Sequence, residues 1–111
     1  MSRNPARDRA DAAFRAAVYS RYGRACVRCG EHATEVAHVI RRGYDRTRCD
    51  PTNGRPACQR CHRMQHAGVW SWPELLGERE VLALRQYAED PTWKRPRDWW
   101  QQCLTALKEV A

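Results

Sequence analysis

CVRCGEHATEVAHVIRRGYDRTRCDPTNGRPACQRCHRMQH, running from Cys26 to His66, carries most of what this chain says about its fold. It opens on the pair Cys26 and Cys29 and, near its end, repeats the spacing in Cys58 and Cys61. Four thiolates in two such pairs suit one tetrahedral zinc, because two intervening residues let both sulfurs of a pair reach an ion at about 2.3 Å. Two separate redox pairs or buried free thiols are the competing readings, and the paired spacing in a chain with a small core favours metal. Such a zinc ties the strand side of the stretch to its helix side and contributes folding energy. Cys49 and Cys103 have no partner at ligand spacing and read as small buried hydrophobes. His32, three residues beyond Cys29, reads as a surface histidine in a turn.

Working outward, Thr34 to Ile40 is rich in β-branched residues and predicts a short strand. Gly43, Asp45, Asp50, Pro51, Asn53, Gly54 and Pro56 predict a loop, with a second short strand near Asn53. A short helix is expected to start at Cys61 and His62 and run through about His66. Upstream, Pro5 to Tyr22 has helical periodicity, with Asn4 and Pro5 as a start and Gly23 as a stop. Downstream, one helix is predicted from about Pro73 to Asp90, broken by Pro91, and another from about Pro96 to Val110. Helical spacing makes the tryptophans packing residues, stacking on bases being their other use. The expectation is a single α+β domain over residues 1–111: a zinc-stapled core over about 24–68, with helical extensions at 5–22 and 73–110.

The bulk properties agree with a small stapled domain that meets a polyanion. At 111 residues, 42% hydrophobic, with a mean hydropathy of −0.85, the chain has little material for a large core. Lys and Arg number 20 against 13 Asp and Glu, a net charge of +7, and the sequence pI is about 9.5. Lys94 and Lys108 are the only lysines, and arginine's bidentate fork suits phosphate better than a point charge does. Nucleic acid is therefore the expected partner, ahead of a merely solvated basic surface. No stretch approaches the roughly 20 apolar residues of a membrane span, and Met1 to Arg9 lacks the apolar run of a secretory signal, so a cytoplasmic location is expected. That expectation disfavours a disulfide framework for the six cysteines.

Laid over the zinc spacing is a second pattern: His38, Asn53 fifteen positions later, His62 nine further, and His66 four beyond that. Phosphodiester hydrolysis needs a water deprotonated near neutral pH, and histidine, with an ordinary pKa of about 6.5, suits that task. His38, held on a strand, is the candidate general base. The reaction also needs a divalent cation to offset charge on the phosphate and leaving oxygen, and His62 and His66, one helical turn apart, share a face and can chelate one ion. Glu35 lies two residues before Ala37 and on the same strand face, within possible reach of that ion directly or through water. Asn53, followed by Gly54, is by itself an ordinary turn former. Arg41, Arg42, Arg46 and Arg48 crowd the loop after His38 and are expected to grip phosphates beside the scissile bond.

The segments EVAHVI (35–40), DPTNGRPACQRCH (50–62) and RMQH (63–66) together resemble the HNH nuclease family, and the flanking cysteine pairs resemble its zinc-bound branch. The resemblance covers about residues 24–66. It implies a ββα-metal core, double-stranded DNA as substrate, His38 as the water-activating base, Asn53 as the residue that holds the loop and orients His38, and His62, with His66 as in colicin-like members, on a catalytic Mg2+, Mn2+, Ni2+ or Zn2+ beside the structural Zn2+. Imidazole ligands lean toward a transition metal. It also implies 5′-phosphate and 3′-hydroxyl products, and a phage or mobile-element setting with a possible protein partner from it. Ala37 departs from the pattern, which has an Asp or His ligand before the base; Glu35 matches a glutamate found three residues before the base in colicin-like members. Two rivals follow from the same residues: a non-catalytic zinc module that binds DNA, with Ala37 marking lost activity, and a toxin-like RNase.

Overall fold

In the computed structural model of the chain, residues 3–110 are described; Met1, Ser2, Ala111 and the side chain of Val110 lie outside the described residues. The first helix, α1, spans Pro5–Tyr22. Asn4 caps it by accepting the Arg7 amide at 3.1 Å, Pro5 occupies the first turn where its missing N–H costs nothing, and Gly23 at φ +81° ends it. Its buried face consists of Ala10, Phe14, Ala17 and Val18.

Two strands, β1 (Glu35–His38) and β2 (Gly54–Ala57), form an antiparallel pair in which Glu35 faces Ala57 and His38 faces Gly54. The strand expected over 34–40 is thus shorter, and the second, expected near Asn53, begins just after it. The connection between them contains two elements that loop-type residues did not reveal. A single helical turn, α2 (Asp45–Arg48), comes first. A 3-10 turn at Pro51–Asn53 follows, capped by the Asp50 carboxylate, which accepts the Thr52 amide at 3.0 Å. Helix α3 (Gln59–His66) follows β2 directly, its first turn closed by Cys58, whose sulfur accepts the Cys61 amide at 3.4 Å.

The helix expected over 73–90 is two helices, α4 (Trp72–Leu76) and α5 (Glu78–Ala88). Gly77 between them sits at φ +95°, a left-handed conformation that a right-handed helix cannot contain, while its N–H closes α4 on the Pro73 carbonyl at 2.9 Å. The last helix, α6, is Trp99–Val110, starting three residues later than its sequence pattern suggests.

The strand pair separates two apolar clusters. On one side Ala37, Ala57, Cys26, Cys58 and Cys61 pack with Trp70, Trp72 and Val81. On the other, Phe14, Ala17 and Val18 of α1 pack with Trp100 and Leu107 of α6, and Val36 leans against them. Ala37 and Val36 therefore face opposite ways, as strand alternation requires. The tryptophans serve packing: Trp70, Trp72 and Trp100 are buried, and Trp70 meets Trp72 edge-on at 4.9 Å. Leu82 and Tyr87, counted in the same apolar pattern, are exposed instead. The result is a compact α+β chain with a small sheet. None of its described helices is long and apolar enough to cross a membrane.

Candidate functional site

The four cysteines of the two pairs converge. The Sγ atoms of Cys26, Cys29, Cys58 and Cys61 all lie within 4.8 Å of one another, the only such cluster of three or more metal-ligating groups among the described residues. Cys29 Sγ and Cys58 Sγ are 3.7 Å apart, close to the roughly 3.8 Å edge of a tetrahedron whose sulfurs sit about 2.3 Å from zinc. The residues thus fit a structural zinc. The first knuckle is turned by Gly30 at φ +79°, whose N–H returns to the Cys26 carbonyl at 2.9 Å, and it is tied to β2 by the Val27 amide donating to Pro56 at 2.9 Å. The second knuckle is the start of α3. The two ends of the cluster shift oppositely: burial would raise the Cys26 thiol, but the backbone amides of Cys29, Cys58 and Arg28 outweigh it and pull the pKa down to about 6, while burial and the neighbouring sulfurs push Cys61 up to about 11. One residue the sequence did not single out is Arg28, whose Nη1 lies 3.9 Å from Cys61 Sγ and 3.7 Å from Met64 Sδ. Its positive charge opposes the negative charge of a tetrathiolate centre. Cys49 and Cys103 stay outside this cluster.

A separate open cleft of about 740 Å³ lies along the free edge of β1 between α1 and α3. Glu35 and His38 of β1 line it together with His62 and His66 of α3. The tail of β1 contributes Arg41 and Arg42, and α1 contributes Asp11, Phe14 and Arg15.

His38 is held by two contacts. Its ring stacks on Phe14 at 4.7 Å with 20° between planes, and its Nε2 lies 2.9 Å from the Arg48 carbonyl. A carbonyl can only accept, so Nε2 carries the proton and Nδ1 is left with a free lone pair. Burial lowers the His38 pKa, aided by Arg42 and Arg48 and opposed by the Arg48 carbonyl and Asp11, so the ring is neutral near pH 7.

On the other wall, His62 Nδ1 lies 2.8 Å from Glu35 Oε1, and His62 Nε2 lies 3.2 Å from His66 Nε2. The carboxylate makes Nδ1 the donor, which turns the lone pair of His62 Nε2 toward His66. Two imidazoles chelating one ion at about 2.0 to 2.1 Å would hold their nitrogens close to this separation. Glu35 Oε1 thus meets His62 itself, the arrangement in which a carboxylate orients an imidazole that would hold an ion. Ala37 is 1% exposed and packs into the cysteine-side cluster, so it offers no donor atom to the cleft.

Asn53 is fully buried. Its Oδ1 accepts the Ile40 amide at 2.7 Å, and its Nδ2 donates to the carbonyls of Ile40 and Thr47, each at 3.0 Å. It therefore holds the loop against the strand, as expected, but makes no side-chain bond to His38; the carbonyl next to Thr47's does that.

The four loop arginines divide. Arg41 and Arg42 are exposed and reach the cleft. Arg46 instead donates to Asp90 at 3.3 Å and to the Tyr87 carbonyl at 3.1 Å, with its guanidinium 3.7 Å above the Tyr87 ring. Arg48 makes a two-bond fork with Asp11, at 2.9 and 2.8 Å. Each of these two guanidiniums is thus already matched by a carboxylate of a packed helix end or face. Arg15 also lines the cleft, a residue that no local pattern in the sequence linked to His38.

Comparison of the chain with family models, with curated proteins and with solved structures returns no match.

Proposed function

We propose that the chain is a metal-dependent endonuclease of the HNH type that hydrolyses DNA phosphodiester bonds, with β1, β2 and α3 as its ββα-metal core. The observation that carries this reading is the juxtaposition in one cleft of a neutral histidine with a defined free nitrogen, His38, and a histidine pair, His62 and His66, with facing ring nitrogens at a spacing that suits one shared ion. His38 Nδ1 takes a proton from water, and the hydroxide attacks phosphorus in line with the bond to the 3′ oxygen. That bond breaks and the leaving 3′ oxygen takes a proton from solvent water, giving a 5′-phosphate and a 3′-hydroxyl. Arg41 and Arg42 hold the flanking phosphates without reading bases. His62, oriented by Glu35, and His66 would hold a divalent ion that offsets charge on the phosphate and leaving oxygen. The cysteine quartet holds α3 in place through a structural zinc.

A second reading is a DNA-binding module without catalysis. It is favoured by Ala37, which leaves His62 and His66 as the imidazoles that would hold an ion in the cleft. Cleavage of supercoiled plasmid separates the two. Wild type and His38→Ala, matched for zinc content, are assayed with magnesium, manganese, nickel or EDTA, with an RNA competitor in parallel. Nicking by wild type alone, and only with added metal, is the expected result; binding by both with cleavage by neither means a binding module.

A further inference from the structure

His38 owes its orientation to a carbonyl, and that carbonyl belongs to a residue whose side chain is clamped from outside the sheet. Arg48 is the last residue of α2, a helix of one turn that has no side-chain cap at its start. Its carbonyl meets His38 Nε2 at 2.9 Å. Its guanidinium donates from Nε to Asp11 Oδ1 at 2.9 Å and from Nη2 to Asp11 Oδ2 at 2.8 Å. Both partners are largely buried, with 15% and 20% of the side chain exposed. A third donor, the Cys49 thiol, points at Asp11 Oδ1 at 3.5 Å; burial pushes that thiol's pKa far up, so it stays protonated. Asp11 itself lines the cleft that holds His38, and one turn along α1 from it Phe14 supplies the ring on which His38 stacks.

A one-turn helix has little stability of its own, so the position of its final carbonyl depends on what anchors it. Asn53 anchors the preceding carbonyl, that of Thr47. The Arg48 end is anchored through its side chain, by a planar fork that restrains direction as well as distance.

We propose that Asp11 is a positioning residue for His38: by clamping Arg48 it places the carbonyl that keeps the imidazole proton on Nε2 and leaves Nδ1 facing substrate as the base. This rests on the reading of His38 as the general base. It makes α1, which lies outside the His-Asn-His pattern, a working part of the site. The role is indirect, since Asp11 touches neither water nor phosphate in this scheme, and its removal should alter the His38 tautomer before anything else.

The test uses the full zinc-loaded chain at pH 8, where free histidine is neutral. Long-range proton–nitrogen correlation spectra report the tautomer of each histidine, and plasmid cleavage is measured on the same samples. In wild type, His38 is expected as the Nε2–H form alone. In Asp11→Ala, a mixture with the Nδ1–H form is expected, kcat falls by roughly 10- to 100-fold from misorientation of the base, and KM is unchanged; Asp11→Glu recovers most of kcat. If Asp11→Ala does not fold, Asp11→Asn, which keeps the shape and one acceptor, serves as the second variant and is judged the same way. A folded variant whose His38 remains purely Nε2–H overturns the proposal, whatever happens to kcat. If wild type cleaves nothing with any metal, the nuclease reading fails, and the tautomer comparison alone still decides whether Asp11 positions His38.

Discussion

The rings of Phe14 and His38 lie 4.7 Å apart and nearly parallel, and the space that lets Phe14 reach that place is the missing side chain of Gly54. A Cβ on Gly54 would come within 2.7 Å of both Phe14 Cζ and Val18 Cγ2. Gly54→Ala should therefore destabilise the chain by about 1 to 3 kcal/mol, the usual cost of overpacking. Because Phe14 must yield, the His38 ring protons should also lose part of their ring-current shift. Chemical denaturation and proton spectra of the variant check both effects; an unchanged His38 environment would mean that Phe14 does not hold the imidazole.

Asn53→Ala should be among the most damaging single changes. It strands the Ile40 amide and removes the donor to two carbonyls in a fully buried position, at a cost of about 2 to 4 kcal/mol. Asn53→Asp keeps the acceptor but not the donor and should fare little better. Urea titration at neutral pH gives the number, and a loss below 1 kcal/mol would contradict the bonding described.

Removal of the structural metal should unfold the core. One zinc per chain is expected by elemental analysis, and Cys58→Ser or a strong chelator should abolish near-ultraviolet circular dichroism, since zinc at such sites carries about 10 kcal/mol or more of folding free energy. Full retention of tertiary signal without metal would make the cysteine cluster incidental.

The arginines should behave as two classes in DNA binding. Arg41→Ala and Arg42→Ala, at exposed positions on the cleft, should each weaken binding across sequences and lower the slope of log affinity against log salt by about one. Arg46→Ala should leave that slope alone and lower the thermal midpoint, because its guanidinium is held by Asp90 and Tyr87. Equal slopes for all three variants would show that Arg46 leaves its partners to meet DNA.

Asp11 predicts a pH dependence of definite sign. Burial alone would raise its pKa, but the bonds and charge of Arg48, with Cys49 and Arg7, hold it below the ordinary value of 3.8. A carboxyl with a depressed folded-state pKa stabilises the fold above its unfolded value and loses that contribution as pH falls through the folded one. The stability gap between wild type and Asp11→Asn, on the order of 2 kcal/mol for charged hydrogen bonds, should be constant from about pH 5 to 8 and shrink below about pH 4. The gap is read with excess zinc present and only where both chains still hold it, because loss of zinc in acid unfolds both. A gap that widens in acid would reverse the assignment.

Sequence by itself determined what depends on spacing along the chain. Two residues between paired cysteines bring their sulfurs to one point, alternation put Glu35 and Ala37 on one face of β1, and four residues from His62 to His66 make one helical turn; all three hold in the structure. The stop at Gly23 was equally local. The break at Gly77 was not, because an isolated glycine inside a helical pattern costs only about 1 kcal/mol and adopts a left-handed conformation only when packing requires it. Tertiary structure alone decided the partners of charged side chains. Arg46 and Arg48 look like Arg41 and Arg42 in sequence, yet Asp90 and Asp11 lie 44 and 37 positions away from them and are brought near only when α5 and α1 pack. The same holds for Phe14 on His38 and for Glu35 on His62, contacts between segments whose distance in space no periodicity encodes. Spacing names the groups that can do chemistry, and packing decides which of them are free to do it.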